Sequence, residues 1–201
     1  TGFVMSNPPP DQFLTAFRAA AGLASEALSK WLGRPVSITI QQVEAMPLEQ
    51  ATGLLGEQEG TICGSAMEIR GSLQGILVVL CDDDAGLALA AMLLGREPSA
   101  SDRWGELEQS AVVETTNIIG CSYLNAMAAS TAATTAAMPS PPWFLRDFAP
   151  AVMQSIVMAQ PMTSETVFLT RTEFSIEGSP ARCSLVFLPA PDQADPSEAD
   201  G

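Results

Sequence analysis

The feature that most restricts the fold of this chain is a repeat, because the same order of predicted helices and strands occurs twice. Residues 11–32 show the pattern of a long helix, with Asp11 as a candidate N-cap and Gly33 as its stop. The alternating strand "RPVSITIQQV", a short helical connector "MPLEQATGLL" and a hairpin "TICGSAMEIRGSLQGILVVL" follow. Glu106–Ser130 predicts a second long helix, followed by a strand at "MPSPPWFL", a short helix "FAPAVMQSIVM" and a hairpin "TVFLTRTEFSIEGSPARCSLVFLP". A unit that returns after roughly a hundred residues indicates a duplicated domain with a pseudo-twofold axis.

We therefore predict a mixed α/β fold in which the two units form one antiparallel sheet, packed by the long helices on one face. Residues 1–190 form a single domain in this interpretation, with halves at about 11–95 and 105–190. A helix in "DDDAGLALAAMLLG" and a polar loop "REPSASDRWG" join the halves. The acidic segment 191–201 is expected to be a disordered tail.

Composition excludes several classes of function. The net charge of −14 and the absence of a Lys/Arg patch argue against a nucleic-acid partner. No apolar run reaches the roughly eighteen residues of a membrane helix, and no export signal is visible, so we expect a cytoplasmic protein without membrane insertion. The four cysteines lack a C-x-x-C spacing and are expected to be small, reduced, mostly buried thiols.

The chain contains no histidine. Its absence excludes Ser-His-Asp and Cys-His catalysis, histidine acid–base chemistry and every zinc site that needs an imidazole. Chemistry must come from carboxylates, amides and hydroxyls, or from a group supplied by a partner.

One polar stripe on the second long helix is a candidate site. Ser110, Glu114, Asn117 and Cys121 follow one another at helical spacing and share one side of the helix, while small and apolar residues occupy the other. The Glu-x-x-Asn spacing alone is also common on solvated helix surfaces, so an ordinary exposed face remains an alternative.

The stretch "SAVVETTNIIGCSYLNAM" closely resembles the signature helix of the CheC/CheX/FliY-type phosphatases of bacterial chemotaxis. That signature has an Asp or Ser, then a Glu, then an Asn and, further on, a proline. Here these are Ser110, Glu114, Asn117 and either Pro139 or Pro141. The resemblance extends to "ALSKWLGRPVSI" and "GILVVL" and covers most of residues 11–190.

The first long helix departs from that family. Several members carry the Glu/Asn pair on both long helices, but Thr15 and Arg18 stand at the corresponding positions here. The resemblance therefore implies one active centre in this chain.

The resemblance implies a phosphatase that accelerates dephosphorylation of a phosphorylated CheY-like receiver. In this interpretation Asn117 orients the attacking water, Glu114 pairs with a receiver lysine, and Ser110 supports substrate binding. The receiver supplies Mg²⁺, and no cofactor or metal is expected on this chain. The alternative is a non-catalytic flagellar-switch or adaptor module of the same fold that binds a receiver or a CheD-like protein. A homodimer joined by sheet edges is also left open.

Two further features have ordinary explanations. The carboxylates of Asp82–Asp84 could suggest a Mg²⁺ site, but capping of the following helix by Asp84 or a neighbour is favoured. Met46, Met67 and Met92 are expected to fill the core.

Overall fold

The computed structural model describes residues 11–47, 50, 60–71, 74–100, 102–130, 137–158 and 166–190. The described helices are α1 (Asp11–Leu32), α2 (Asp83–Leu93), α3 (Glu106–Ser130) and α4 (Ala149–Met158). The described strands are β1 (Val36–Pro47), β2 (Thr61–Arg70), β3 (Gly75–Asp82), β4 (Met138–Pro139), β5 (Trp143–Phe148), β6 (Thr166–Ile176) and β7 (Ser179–Pro189). None of the helices in these ranges combines the length and apolarity needed to cross a membrane.

The strands form one antiparallel sheet in the order β1-β6-β7-β3-β2-β4, with β5 also paired to β2. Exchanging β1 with β5, β2 with β6 and β3 with β7 gives the same order in reverse. The strand order is thus the one that a pseudo-twofold axis between β3 and β7 would produce. The prediction of an α/β fold with one antiparallel sheet is confirmed.

Both faces of the sheet are covered. On one face, α1 and α3 lie side by side and pack with α2 over side chains that include Met67, Leu77 and Phe187. On the other face, α4 packs Val152, Met153 and Ile156 against the apolar residues of the central strands. This double coverage explains why β3 is buried over most of its length.

The first two helices end at glycines, as the sequence predicted for Gly33. Gly33 has φ +65° after α1, and Gly95 has φ +74° after α2, conformations that favour glycine. Met46, Met67 and Met92 are buried, as expected of core methionines.

Two sequence expectations need correction. Met46 and Pro47 belong to the end of β1 and not to a helical connector, because the ladder with β6 continues to Pro47↔Thr166. Of the rest of that connector, only Gln50, which is helical, lies within the described residues. The stretch at "MPSPPWFL" forms two strands, β4 and β5, because prolines lack the N–H that a continuous ladder needs. The acidic segment 191–201 lies outside the described residues.

Candidate functional site

The start of α3 is fixed by contacts to Glu108. Gly105 is the N-cap, since its carbonyl oxygen accepts the N–H of Gln109 at 3.1 Å and its own N–H donates to Glu108 Oε2 at 3.0 Å. Arg96, from the loop before the helix, forms an ion pair with Glu108. The backbone N–H of Glu108 itself and the Arg96 guanidinium lower the pKa of the Glu108 carboxyl. These contacts fix where the helix begins.

The inner face of α3 anchors the helix to the sheet. Buried residues on this face include Val112, Thr116, Ile119 and Gly120. At Gly120 the helix backbone approaches the sheet so closely that an added Cβ would lie 2.0 Å from Met67 Sδ. A helix held this tightly offers its opposite face as a rigid platform.

The outer face carries the predicted stripe. Ser110 and Glu114 are exposed, while Asn117 and Cys121 are partly buried. Cys121 Sγ lies 3.9 Å from Asn117 Oδ1 as a weak donor, and burial together with the Glu114 carboxylate raises the pKa of the Cys121 thiol. The structure therefore brings Glu114, Asn117 and Cys121 together as one cluster beside Ser110. Their roles in catalysis and binding stay predictions.

Exposed apolar side chains occur on α3 and on two elements that contact it. Leu107 is 69% exposed and lies on the same helix face, one turn before Ser110. On α1, Leu23 and Trp31 are each 45% exposed, and Met138 of β4, a strand that contacts α3, is 64% exposed. Leu107, beside the polar stripe, is the kind of exposed apolar side chain that protein-docking surfaces use.

The first long helix does not repeat the site. Thr15 and Arg18 are both exposed on α1, which packs against α3, so this helix offers no carboxylate–amide pair at the corresponding positions. Pro139 and Pro141 are both exposed near α3, on or just after β4. The structure does not choose between them as the signature proline.

Asp83 has a role that the sequence did not reveal. Its carboxylate accepts two hydrogen bonds from Arg146 of β5, Nε to Oδ1 at 2.7 Å and Nη2 to Oδ2 at 2.8 Å, and one from Trp104 Nε1 at 2.9 Å. The Arg146 bonds, with help from Trp104, lower the pKa of Asp83. The capping prediction is not met at the N-cap of α2, because Asp82 occupies that position without a side-chain cap bond. Asp83 instead ties the start of α2 to β5 and to the loop that leads into α3.

The described residues contain no group of three acidic or cysteine side chains arranged to hold a metal ion. With Asp83 engaged by Arg146, the carboxylates of Asp82–Asp84 do not form such a group.

No family model matches the sequence. Among solved structures, FliY from Thermotoga maritima is 21% identical over 92% of this chain and 92% of its own, with a TM-score of 0.71. A chain in the CheX–CheY–BeF3–Mg²⁺ complex from Borrelia burgdorferi is 16% identical over 89% of this chain and 98% of its own, with a TM-score of 0.51. This chain has a CheC/CheX/FliY-type fold. A chain in the FliG–FliM complex from H. pylori shares the fold, with 14% identity, coverage of 89% and 93%, and a TM-score of 0.59.

These structural similarities establish the fold, and the activity has to be argued from the site.

Proposed function

We propose that this protein is a cytoplasmic phosphatase that accelerates dephosphorylation of a phosphorylated CheY-like receiver. The observation that carries the proposal is the placement of Glu114 and Asn117, one helical turn apart on the outer face of a helix whose inner face is fixed to the sheet. The similarity of the helix sequence to the family signature supports the same conclusion.

Asn117 is proposed to position the attacking water. Its amide offers both donors and an acceptor, so it can hold one water in line with the phosphorus of an aspartyl phosphate. Partial burial restricts the rotamers of the side chain, which lowers the entropy lost when the water is fixed. Orienting one water in this way is worth about 3–5 kcal/mol, a few powers of ten in rate.

Glu114 is proposed to dock the receiver by pairing with a lysine beside the phosphorylated aspartate. The exposed carboxylate can reach a partner, and an ion pair that becomes desolvated on docking sets the register of the two proteins. Ser110 lies one turn before Glu114 on the same face and can add a hydrogen bond to the receiver. Mg²⁺ would be carried by the receiver and not by this chain.

Apolar contacts have to contribute to docking. A chain with a net charge of −14 gains no long-range attraction for an acidic partner. Leu107 provides exposed apolar area beside the stripe on the same helix face, so association can depend on local contacts.

The second candidate is a non-catalytic module that binds a receiver or another chemotaxis protein. The structural likeness to FliM and the single Glu/Asn pair favour it. A CheD-like partner and a homodimer through the sheet edges stay predictions.

The experiment that tests the proposal follows decay of a Mg²⁺-loaded, phosphorylated CheY-like receiver. We expect wild-type protein to accelerate decay, the variant with Glu114→Ala and Asn117→Ala to lose the acceleration, and Arg18→Ala on α1 to keep it. Binding of the receiver without acceleration by the wild type would contradict the phosphatase and favour the non-catalytic module.

A further inference from the structure

Cys121 differs from the other cysteines of the chain. Cys63, Cys81 and Cys183 are buried in the sheet beneath the helices, on adjacent strands β2, β3 and β7. Cys121 is only partly buried and lies on α3 within the polar stripe, one turn after Asn117. Its location next to the candidate site raises the question of what the thiol does there.

The thiol contacts the amide that is proposed to hold the water. Sγ lies 3.9 Å from Asn117 Oδ1, within the range of a weak sulfur hydrogen bond, and the two residues are spaced as neighbours on one helix face. When the thiol donates its proton, the amide oxygen is the only group of Asn117's side chain that can accept it. Both N–H groups and the second lone pair of Oδ1 therefore stay available to a water and to the receiver.

The protonation state of the thiol suits this contact. Burial first, and the Glu114 carboxylate second, raise the pKa of Cys121, so the sulfur keeps its proton at neutral pH and can donate it. A thiolate would have no proton to donate.

We propose that Cys121 is a positioning residue for Asn117, in which the S–H group holds Oδ1 and fixes the orientation of the amide toward the receiver. This inference rests on the proposed function, since it assigns the part of the site that orients the catalytic amide. Cys121 itself touches neither the water nor the phosphoryl group in this account.

The test compares Cys121→Ala, which removes the donor, with Cys121→Ser, which keeps one. With a phosphorylated CheY-like receiver at saturating concentration, we expect the alanine variant to lower kcat about three- to tenfold with little change in KM. The serine variant should recover part of that loss, because a hydroxyl is a stronger donor than a thiol and reaches the same oxygen after a small shift of the Asn117 side chain. A serine variant no more active than the alanine variant, at equal thermal stability, would contradict the proposal, as would an alanine variant with wild-type kcat.

A second readout does not depend on activity. The side-chain amide resonances of Asn117, assigned by NMR with the Asn117→Ala variant, should shift in Cys121→Ala and return toward the wild-type position in Cys121→Ser. Unchanged resonances in both variants would overturn the inference. If Asn117→Ala leaves the dephosphorylation rate unaltered, the proposed function fails, while the NMR comparison still decides whether the contact holds the amide.

Discussion

Substituting Gly120 by alanine tests how α3 is mounted on the sheet. The added Cβ would lie 2.0 Å from Met67 Sδ, 3.0 Å from Met67 Cε and 3.5 Å from Leu77 Cδ2. Met67 is fully buried, so its side chain can move only by displacing other core atoms. Overpacking of this kind costs about 2–3 kcal/mol, and alanine regains about 1 kcal/mol over glycine in a helix interior. The net destabilisation is therefore about 1–2 kcal/mol.

Thermal unfolding followed by circular dichroism measures this difference. For a chain of this size, the expected loss lowers Tm by about 2–8 °C. Gly22→Ala on α1 is the matched control, because Gly22 is exposed and a Cβ there would meet nothing within 4 Å. That variant should gain about 0.5–1 kcal/mol of stability from helix propensity alone.

Met67 provides a second test of this contact. In a Met67→Ala background, the clash at Gly120 is relieved, so Gly120→Ala should cost less than in the wild type. If Gly120→Ala raised Tm as Gly22→Ala does, the inner face of α3 would not contact the sheet at this position, and the fixed platform assumed for the site would be refuted.

Three further predictions follow from the contacts around the site. Asp83→Asn should lower stability at neutral pH by about 1 kcal/mol, because it weakens a bidentate but partly exposed pair with Arg146. Because the pKa of Asp83 is lowered in the folded protein, the ion pair stabilises the fold at pH values above 3.8, the ordinary pKa of this carboxyl. The free energies of unfolding of the wild type and Asp83→Asn, measured with denaturant, should therefore converge as the pH falls below 3.8. A difference that stays constant over that range would contradict the pairing. Glu108→Ala should lower the free energy of unfolding by about 1 kcal/mol, because it removes the acceptor of the Gly105 N–H and the partner of Arg96. An unchanged free energy of unfolding, measured with denaturant, would show that this cap is unimportant. Glu114→Lys should raise KM for the phosphorylated receiver about tenfold or more by reversing the docking charge, whereas an unchanged KM in steady-state dephosphorylation would exclude Glu114 from docking.

The long helices and hairpins were accessible from the sequence because each depends on local patterns. The bounds of α3 match Glu106–Ser130, and the outer stripe follows from helical spacing once those bounds are known. The exposure of Ser110 and Glu114 confirms which face is outward. The same helical spacing predicted that Cys121 lies in the stripe. Its contact with Asn117 could be found only from the positions of the side chains.

Long-range pairings could not be predicted in the same way. The sequence favours capping by Asp84 or a neighbour because these acids precede a helix, but Asp83 pairs with Arg146, which is 63 residues away in sequence on a different strand. The alignment of Cys63 with Cys81 depends on the register of β2 and β3, which periodicity does not fix. Pro47 was assigned to a helix start from local preference, and pairing of β1 with β6 overrides that preference.

The most direct test of the central claim compares Asn117→Ala with Asn125→Ala in the decay of a Mg²⁺-loaded, phosphorylated CheY-like receiver. Asn125 is an exposed asparagine on the same helix, two turns after Asn117, and makes a matched control. We expect Asn117→Ala to slow catalysed decay about a hundredfold, or roughly 3 kcal/mol, while binding of the receiver and the activity of Asn125→Ala stay near those of the wild type. Catalysed decay that survives in Asn117→Ala would contradict the assignment of this amide as the group that positions the water.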